Sequence, residues 1–323
     1  MAYTAGDTIL DDEYNNFVGS SSSPFGINHT GGTGSAQYGL GESSVATVSA
    51  GDTVNASQWN TLFAAMNVVA SHTGTSISSA GSKSAGDAIA IISALTSDLA
   101  SLAAAVAAGS TGTSAVTTSG ALQQPTSSST WSNSFTTEMS VTFANANKMR
   151  HFFNAGGKIR VYAEVTGSGL AGDGSGPGID ASWTAIYNAL GNIDIASQSS
   201  TRSGSGESLT TNGLANGFHD LSTGYTEIIK ISDDTYPYAS NNISVQAKLN
   251  AAVGSSTVIT VKLVATDGTS NITYTGGNTD GSDSQSYRNG THRHNLKVTS
   301  TTTASLTNAH AQSSTATASN STS

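Results

Sequence analysis

The chain has 323 residues, and only 10% of them are charged, where soluble proteins average about 25%. Twelve Lys and Arg against 21 Asp and Glu give a net charge of −9, and the cations are scattered, so no stripe exists to neutralise phosphate and nucleic acid is not an expected partner. Cysteine is absent, which removes disulfides, and no window approaches ~18 consecutive apolar residues, so no membrane span is expected.

Aromatics are 7% of the chain and glycines number 35, so strong hydrophobic anchors are few. Such a chain struggles to offset its ordering entropy alone, and contacts with further copies are the expected remedy. The first residues, MAYTAGDTILDDEYNNF, carry neither a basic nor an apolar signal region, so no signal peptide is expected.

Residues 1–80 read as a small helical attachment module. Ala5-Gly6-Asp7-Thr8-Ile9 followed by Tyr14-Asn15 resembles Ala50-Gly51-Asp52-Thr53-Val54 followed by Trp59-Asn60, with the same spacing from Gly to the aromatic. Either a turn-plus-cap device is reused, or a two-helix motif seats the module on a partner through Tyr14, Trp59 and Phe63. Asn55 and Gln58 form a capping-box pattern ahead of Trp59, Leu62, Phe63, Met66 and Val69 at helical spacing. Asp11 or Asp12 can cap a shorter helix bearing Tyr14 and Phe17. Residues 20–42 and 70–86 are Ser/Gly-rich connectors.

Residues 81–110 contain the clearest helix, at 87–108, with Asp87 at its start and Gly109 at its end. Ile92, Leu95, Leu99, Leu102 and Val106 alternate steps of three and four, a seam of about two heptads. It reads as a short coiled-coil-like oligomerisation interface or as an amphipathic helix docked on its own chain. Residues 111–134 read as linker.

From 135 the period becomes two. Met139, Val141 and Phe143 alternate; so do Ile159, Val161, Ala163 and Val165, and Ile243, Val245, Ala247 and Leu249. The class expected is mainly β, an antiparallel β-sandwich body over 135–290. Trp183, Ile186 and Tyr187 fall in a short strand or helix packed on it. Past Gly290 the first residues can form one more strand, and the Ser/Thr-rich rest of 291–323 reads as an extended tail that adds to a neighbour as a strand or lies along it.

Two stretches carry a resemblance. One is Tyr38-Gly39-Leu40-Gly41 with Val48, Gly51-Asp52-Thr53-Val54, Ala56-Ser57-Gln58-Trp59-Asn60 and His72. The other is Phe152-Phe153-Asn154-Ala155-Gly156-Gly157-Lys158-Ile159-Arg160. Together they resemble structural proteins of tailed bacteriophage virions, of the tail-fibre-like kind from aquatic phages. Lys158 stands where that pattern is more often acidic. The resemblance covers about half the chain in patches. It implies a role in assembly, in a tail, neck or collar, by a particle built in the host cytoplasm, and it brings no catalytic residue and no cofactor.

Candidate chemistry is sparse. His292 and His294 face one way on a strand, so a threefold axis can gather three such pairs around an octahedral metal; two surface histidines are the plain alternative. Carboxylates for glycan hydrolysis are Asp173, Asp180, Asp233, Asp234, Asp267, Asp280 and Asp283, nearly all in turn contexts. Asn278, Asp280 and Asp283 alternate oxygen ligands suited to calcium but lack the later bidentate Glu. A nucleophile elbow needs a strand before it and a helix after it, and the glycines of 172–178 have neither.

The expected molecule is a non-enzymatic virion subunit, a homotrimer that joins other tail or neck proteins. The alternatives are a host-receptor or glycan-binding module, with Tyr236, Tyr238, Tyr274 or Tyr287 at loop tips, and a capsid decoration protein.

Overall fold

The computed structural model describes residues 11–19, 26–87, 92–109, 116–123, 126–127, 133–166, 179–235, 238–268, 272–273, 282–283, 291–301 and 315–322. The first helix, α1 (Asp11–Val18), leads through a π-helical turn (Asn28–Gly32) to α2 (Ala56–Thr73). The capping box at the start of α2 forms as expected: Gln58 N donates to Asn55 Oδ1 at 3.1 Å, and Asn55 N donates to Gln58 Oε1 at 2.8 Å. Helix α3 (Ile92–Ala107) follows, with Gly109 beyond it at φ 68°.

The remainder is a mainly β, antiparallel sandwich. The strands are β1 (Val116–Gln123), β2 (Thr126–Ser127), β3 (Ser134–Thr142), β4 (Lys158–Thr166), β5 (Ile193–Ile195), β6 (Ser200–Arg202) and β7 (Ser208–Asn212). After them come β8 (Thr226–Ser232), β9 (Asn242–Leu249), β10 (Val258–Thr266), β11 (Ile272–Thr273), β12 (Ser282–Asp283), β13 (Thr291–Thr301) and β14 (Thr315–Thr322). One sheet runs β1-β13-β4-β5-β6, with β2 also on β13; the other runs β14-β3-β10-β9-β8-β7. Their facing sides share one core, in which Phe135, Met139 and Val141 of β3 meet Ile159 and Val161 of β4 and Leu296 of β13. Each such buried side chain contributes about 1.5–3 kcal/mol.

Two helices belong to this body. α4 (Ala146–Asn154) precedes β4, and α5 (Ile179–Leu190) packs on β4 of one sheet and on β8 and β9 of the other. Trp183, Ile186 and Tyr187 therefore lie on a helix, and all three are buried. Arg160 and Asp194, paired across β4 and β5, form a bidentate ion pair at 2.6 and 2.8 Å.

Two expected boundaries are corrected. The stretch 111–134 is not merely linker, because β1 and β2 within it pair with β13. The later part of 291–323 is not a tail on a neighbour: β14 pairs along β3 of the same chain, and β13, the strand allowed for after Gly290, lies between β1 and β4. Thr- and Ser-rich sequence suits these strands because the ladder, not a row of large side chains, satisfies their backbone. Among the described residues no helix is long and apolar enough to cross a membrane.

Candidate functional site

The two stretches singled out by resemblance are distant in sequence and meet in space, at the joint between the helical module and the sandwich. Asn145 caps α4, accepting from Lys148 N at 2.9 Å, and the helix turns Arg150, His151 and Asn154 inward. All three are buried, at 3%, 5% and 1% exposure. Opposite them the chain from 33 to 41 presents a run of backbone carbonyls. Arg150 donates to the carbonyls of Thr33, Gly34 and Tyr38. Asn154 Nδ2 donates to those of Ala36, Tyr38 and Gly39, at 3.2, 2.8 and 3.2 Å. From α2, His72 Nε2 donates to Ala155 O at 3.1 Å.

Asn154 also reaches the other way. Its Oδ1 accepts from His219 Nε2 at 2.8 Å and from Ser197 Oγ at 3.4 Å. One amide thus ties the module, α4 and the 3-10 turn Phe218–Asp220 together. Backbone polar groups of a loop cannot be buried unpaired, and these side chains stand in for a missing strand. Gly41 is required here: its φ is +84°, and a Cβ would sit 2.8 Å from His151 Nδ1. Gly157 closes the turn after α4, where a Cβ would lie 2.5 Å from the Phe152 ring.

Burial and the Arg150 charge set the ionisation of the joint. Burial, then the Arg150 charge, holds His151 down at about 4, against the pull of Thr33 O. His219 is held at about 4 by burial and by Arg150. Both rings are neutral near pH 7. Burial also lowers the Arg150 guanidinium from its ordinary value. An open pocket of about 470 Å³ flanks the joint, lined in part by Thr33, Gly41, Lys148 and His151.

The proposed attachment residues are not available for attachment. Tyr14, Trp59 and Phe63 are 1%, 2% and 4% exposed and pack on one another within the chain, Tyr14 edge-on to Trp59 at 5.3 Å. The internal resemblance has a structural counterpart in the asparagine that follows each aromatic. Asn15 clamps Val48, accepting from its N–H at 2.9 Å and donating to its carbonyl at 2.9 Å. Asn60 clamps Lys83 in the same way, at 2.8 and 2.9 Å.

The oligomerisation seam is likewise consumed internally. Leu95, Leu99, Leu102 and Val106 are at most 2% exposed and share the core of α1 and α2; the side chain of Ile92 lies outside the described residues. The Ala/Ser character of α3 permits this close approach within one chain. Asp98 on the same helix accepts from Ser78 N, Ser79 N and Ser79 Oγ. Burial pushes its carboxyl up, but these bonds outweigh it and hold it below its ordinary value.

His292 and His294 do face one way, but inward, which corrects the expected metal pair. They are 1% and 0% exposed. His292 Nδ1 shares a 2.7 Å hydrogen bond with Tyr187 OH, and His294 Nδ1 shares one of 2.9 Å with Thr137 Oγ1. His294 stacks on Phe135 at 4.4 Å, and burial followed by the neighbouring His292 holds it at about 3. A strand enclosed between β1 and β4 in a packed core cannot present these rings at an axis between copies.

Tyr238 is buried at 6%, so it offers no loop-tip platform; Tyr236, Tyr274 and Tyr287 lie outside the described residues. Asp173, Asn278, Asp280 and the glycines of 172–178 also lie outside them, as do the side chains of Asp180 and Asp283. Asp233 and Asp234 follow β8 side by side in one turn, where Glu207, unmarked by the sequence, joins them. A comparison of the chain with protein-family models, with curated proteins and with solved structures finds no match.

Proposed function

We propose that the chain is a non-enzymatic structural subunit of a tailed-phage virion, a tail, neck or collar fibre or appendage protein that assembles as a homotrimer. The observation that supports this reading is the joint. The stretch around Tyr38-Gly39-Leu40-Gly41 and the stretch around Asn154 carry the resemblance to such proteins, and they bond to each other across more than a hundred residues. Buried Arg, His and Asn side chains spent on loop carbonyls hold two units at a fixed setting, which is mechanical work. Copies in such a trimer meet elsewhere than at the α3 seam.

The test has two parts. Light scattering on the purified full chain is expected to give three times the chain mass, and a chain mass of one at all concentrations overturns the trimer. Antibody labelling of virions carrying the protein is expected to decorate a tail, neck or collar under the electron microscope. Label on the capsid shell alone overturns the appendage reading in favour of decoration.

A further inference from the structure

Beyond the joint, three carboxylates gather at the open edge of the second sheet. Glu207 immediately precedes β7, and Asp233 and Asp234 immediately follow β8. The pairing of Ser208 with Ser232 makes them neighbours across the end of the ladder. Each contributes an oxygen to a group whose members lie within 4.8 Å of one another. Asp233 is only 3% exposed. Its Oδ1 accepts from Thr235 N at 2.7 Å, whereas its Oδ2 is buried without a hydrogen-bond partner. Asp234 is exposed, so the group opens to solvent on one side.

A buried carboxylate oxygen left bare costs as much as a lost charged hydrogen bond, and two further carboxylates beside it add repulsion. Among the described residues no Lys or Arg forms an ion pair with any of the three. Glu207 Oε2 accepts from Asp234 N at 2.9 Å, which fixes the two against each other and leaves their charges unneutralised. Burial and the adjoining carboxylates hold Glu207 above the usual carboxylate range. All the donors are oxygen, with no nitrogen or sulfur among them, a set that suits a hard divalent ion.

We propose that Glu207, Asp233 and Asp234 bind a calcium ion, completed by water on the open side, which ties the turn before β7 to the turn after β8. β7 is an edge strand that among the described residues pairs with β8 alone, its ladder is broken by a register shift between Leu209 and Thr211, and its residues are largely exposed. A cation across its entrance fixes an exposed edge strand of the sandwich. The inference stands apart from the virion reading and does not depend on it.

Calcium chloride titrated calorimetrically into chelator-treated full-length protein at 150 mM salt is the experiment. One saturable site per chain is expected, with a Kd between about 10 µM and 1 mM, and the melting temperature rises by a few degrees at saturation. Asp233→Asn keeps the acceptor for Thr235 N, and Glu207→Gln keeps that for Asp234 N. Each is expected to weaken binding at least tenfold, while the ion-free variant melts at or above the ion-free parent because repulsion is relieved. No saturable binding, binding kept in both variants, or magnesium bound more tightly than calcium overturns the proposal.

Discussion

In the sandwich, backbone groups are satisfied by regular ladders: β3 is paired along its length by β10 on one side and by β14 on the other. In the helical module, extended stretches lie beside helices, and among the described residues no strand pairs with them. There the side chains do the pairing. Asn28 clamps Val45 at 2.7 and 2.9 Å as Asn15 clamps Val48 and Asn60 clamps Lys83, and Asp98 receives the turn at Ser78 and Ser79. A chain poor in large apolar residues thus has two ways to bury its backbone, and the joint at Asn154 uses the second to attach one region to the other.

The largest effect should come from breaking that attachment. Asn154→Ala removes the amide donor from the Ala36, Tyr38 and Gly39 carbonyls, the first two of which keep Arg150, and the acceptor from His219, and is expected to cost about 3–5 kcal/mol. It should also split the calorimetric unfolding of the full chain into two transitions; a single transition at an unchanged temperature would show that the joint does not couple the regions. Next, Leu102→Ala inside the helical module should cost about 2–5 kcal/mol. Because the α3 seam is internal, this loss should not change over a hundredfold dilution in denaturant melts, whereas a seam between copies would make it depend on concentration.

Acid sharpens the comparison further. His151 at the joint and His294 in the sandwich are held at about 4 and about 3, against about 6.5 in an unfolded chain. The unfolded chain therefore binds protons that the folded one refuses between pH 6.5 and those values. Stability is complete above pH 6.5 and falls as the pH drops below it, by about 2 kcal/mol per buried ring between pH 7 and 5. Urea midpoints across that range check it, and a flat profile would contradict the burial of both rings. The smallest expected effect is Asn60→Ala, about 1–2 kcal/mol, read as faster amide exchange at Lys83 with β9 and β10 unchanged.

Much of the architecture was legible in the sequence where periodicity or capping carries it. Asn55 and Gln58 marked α2, the period of two marked β3, β4 and β9, and His292 and His294 were rightly placed on one face of a strand. The sequence does not say which face is interior, so the pair reads as a ligand set when it is core. α4 escaped notice because its buried side holds Arg150, His151 and Asn154, residue types ordinarily exposed. β1 and β14 escaped because Ser and Thr tracts look like linker when the neighbouring strands that receive them are unknown. Glu207 meets Asp233 only through the β7–β8 register, which no spacing in the chain reveals.

The position of β13 has a consequence for how the molecule comes into being. The strand separates β1 from β4, yet it follows them by more than a hundred residues in the chain. During synthesis the hairpin of β9 and β10 can close as it emerges, but β1 and β4 wait with open edges until 291–301 leaves the ribosome. Half-made subunits therefore carry an incomplete first sheet, while the second lacks β14. Completion of the sandwich is a late, long-range step, so unfinished chains differ in surface from finished ones by the open edges that β13 and β14 later cover.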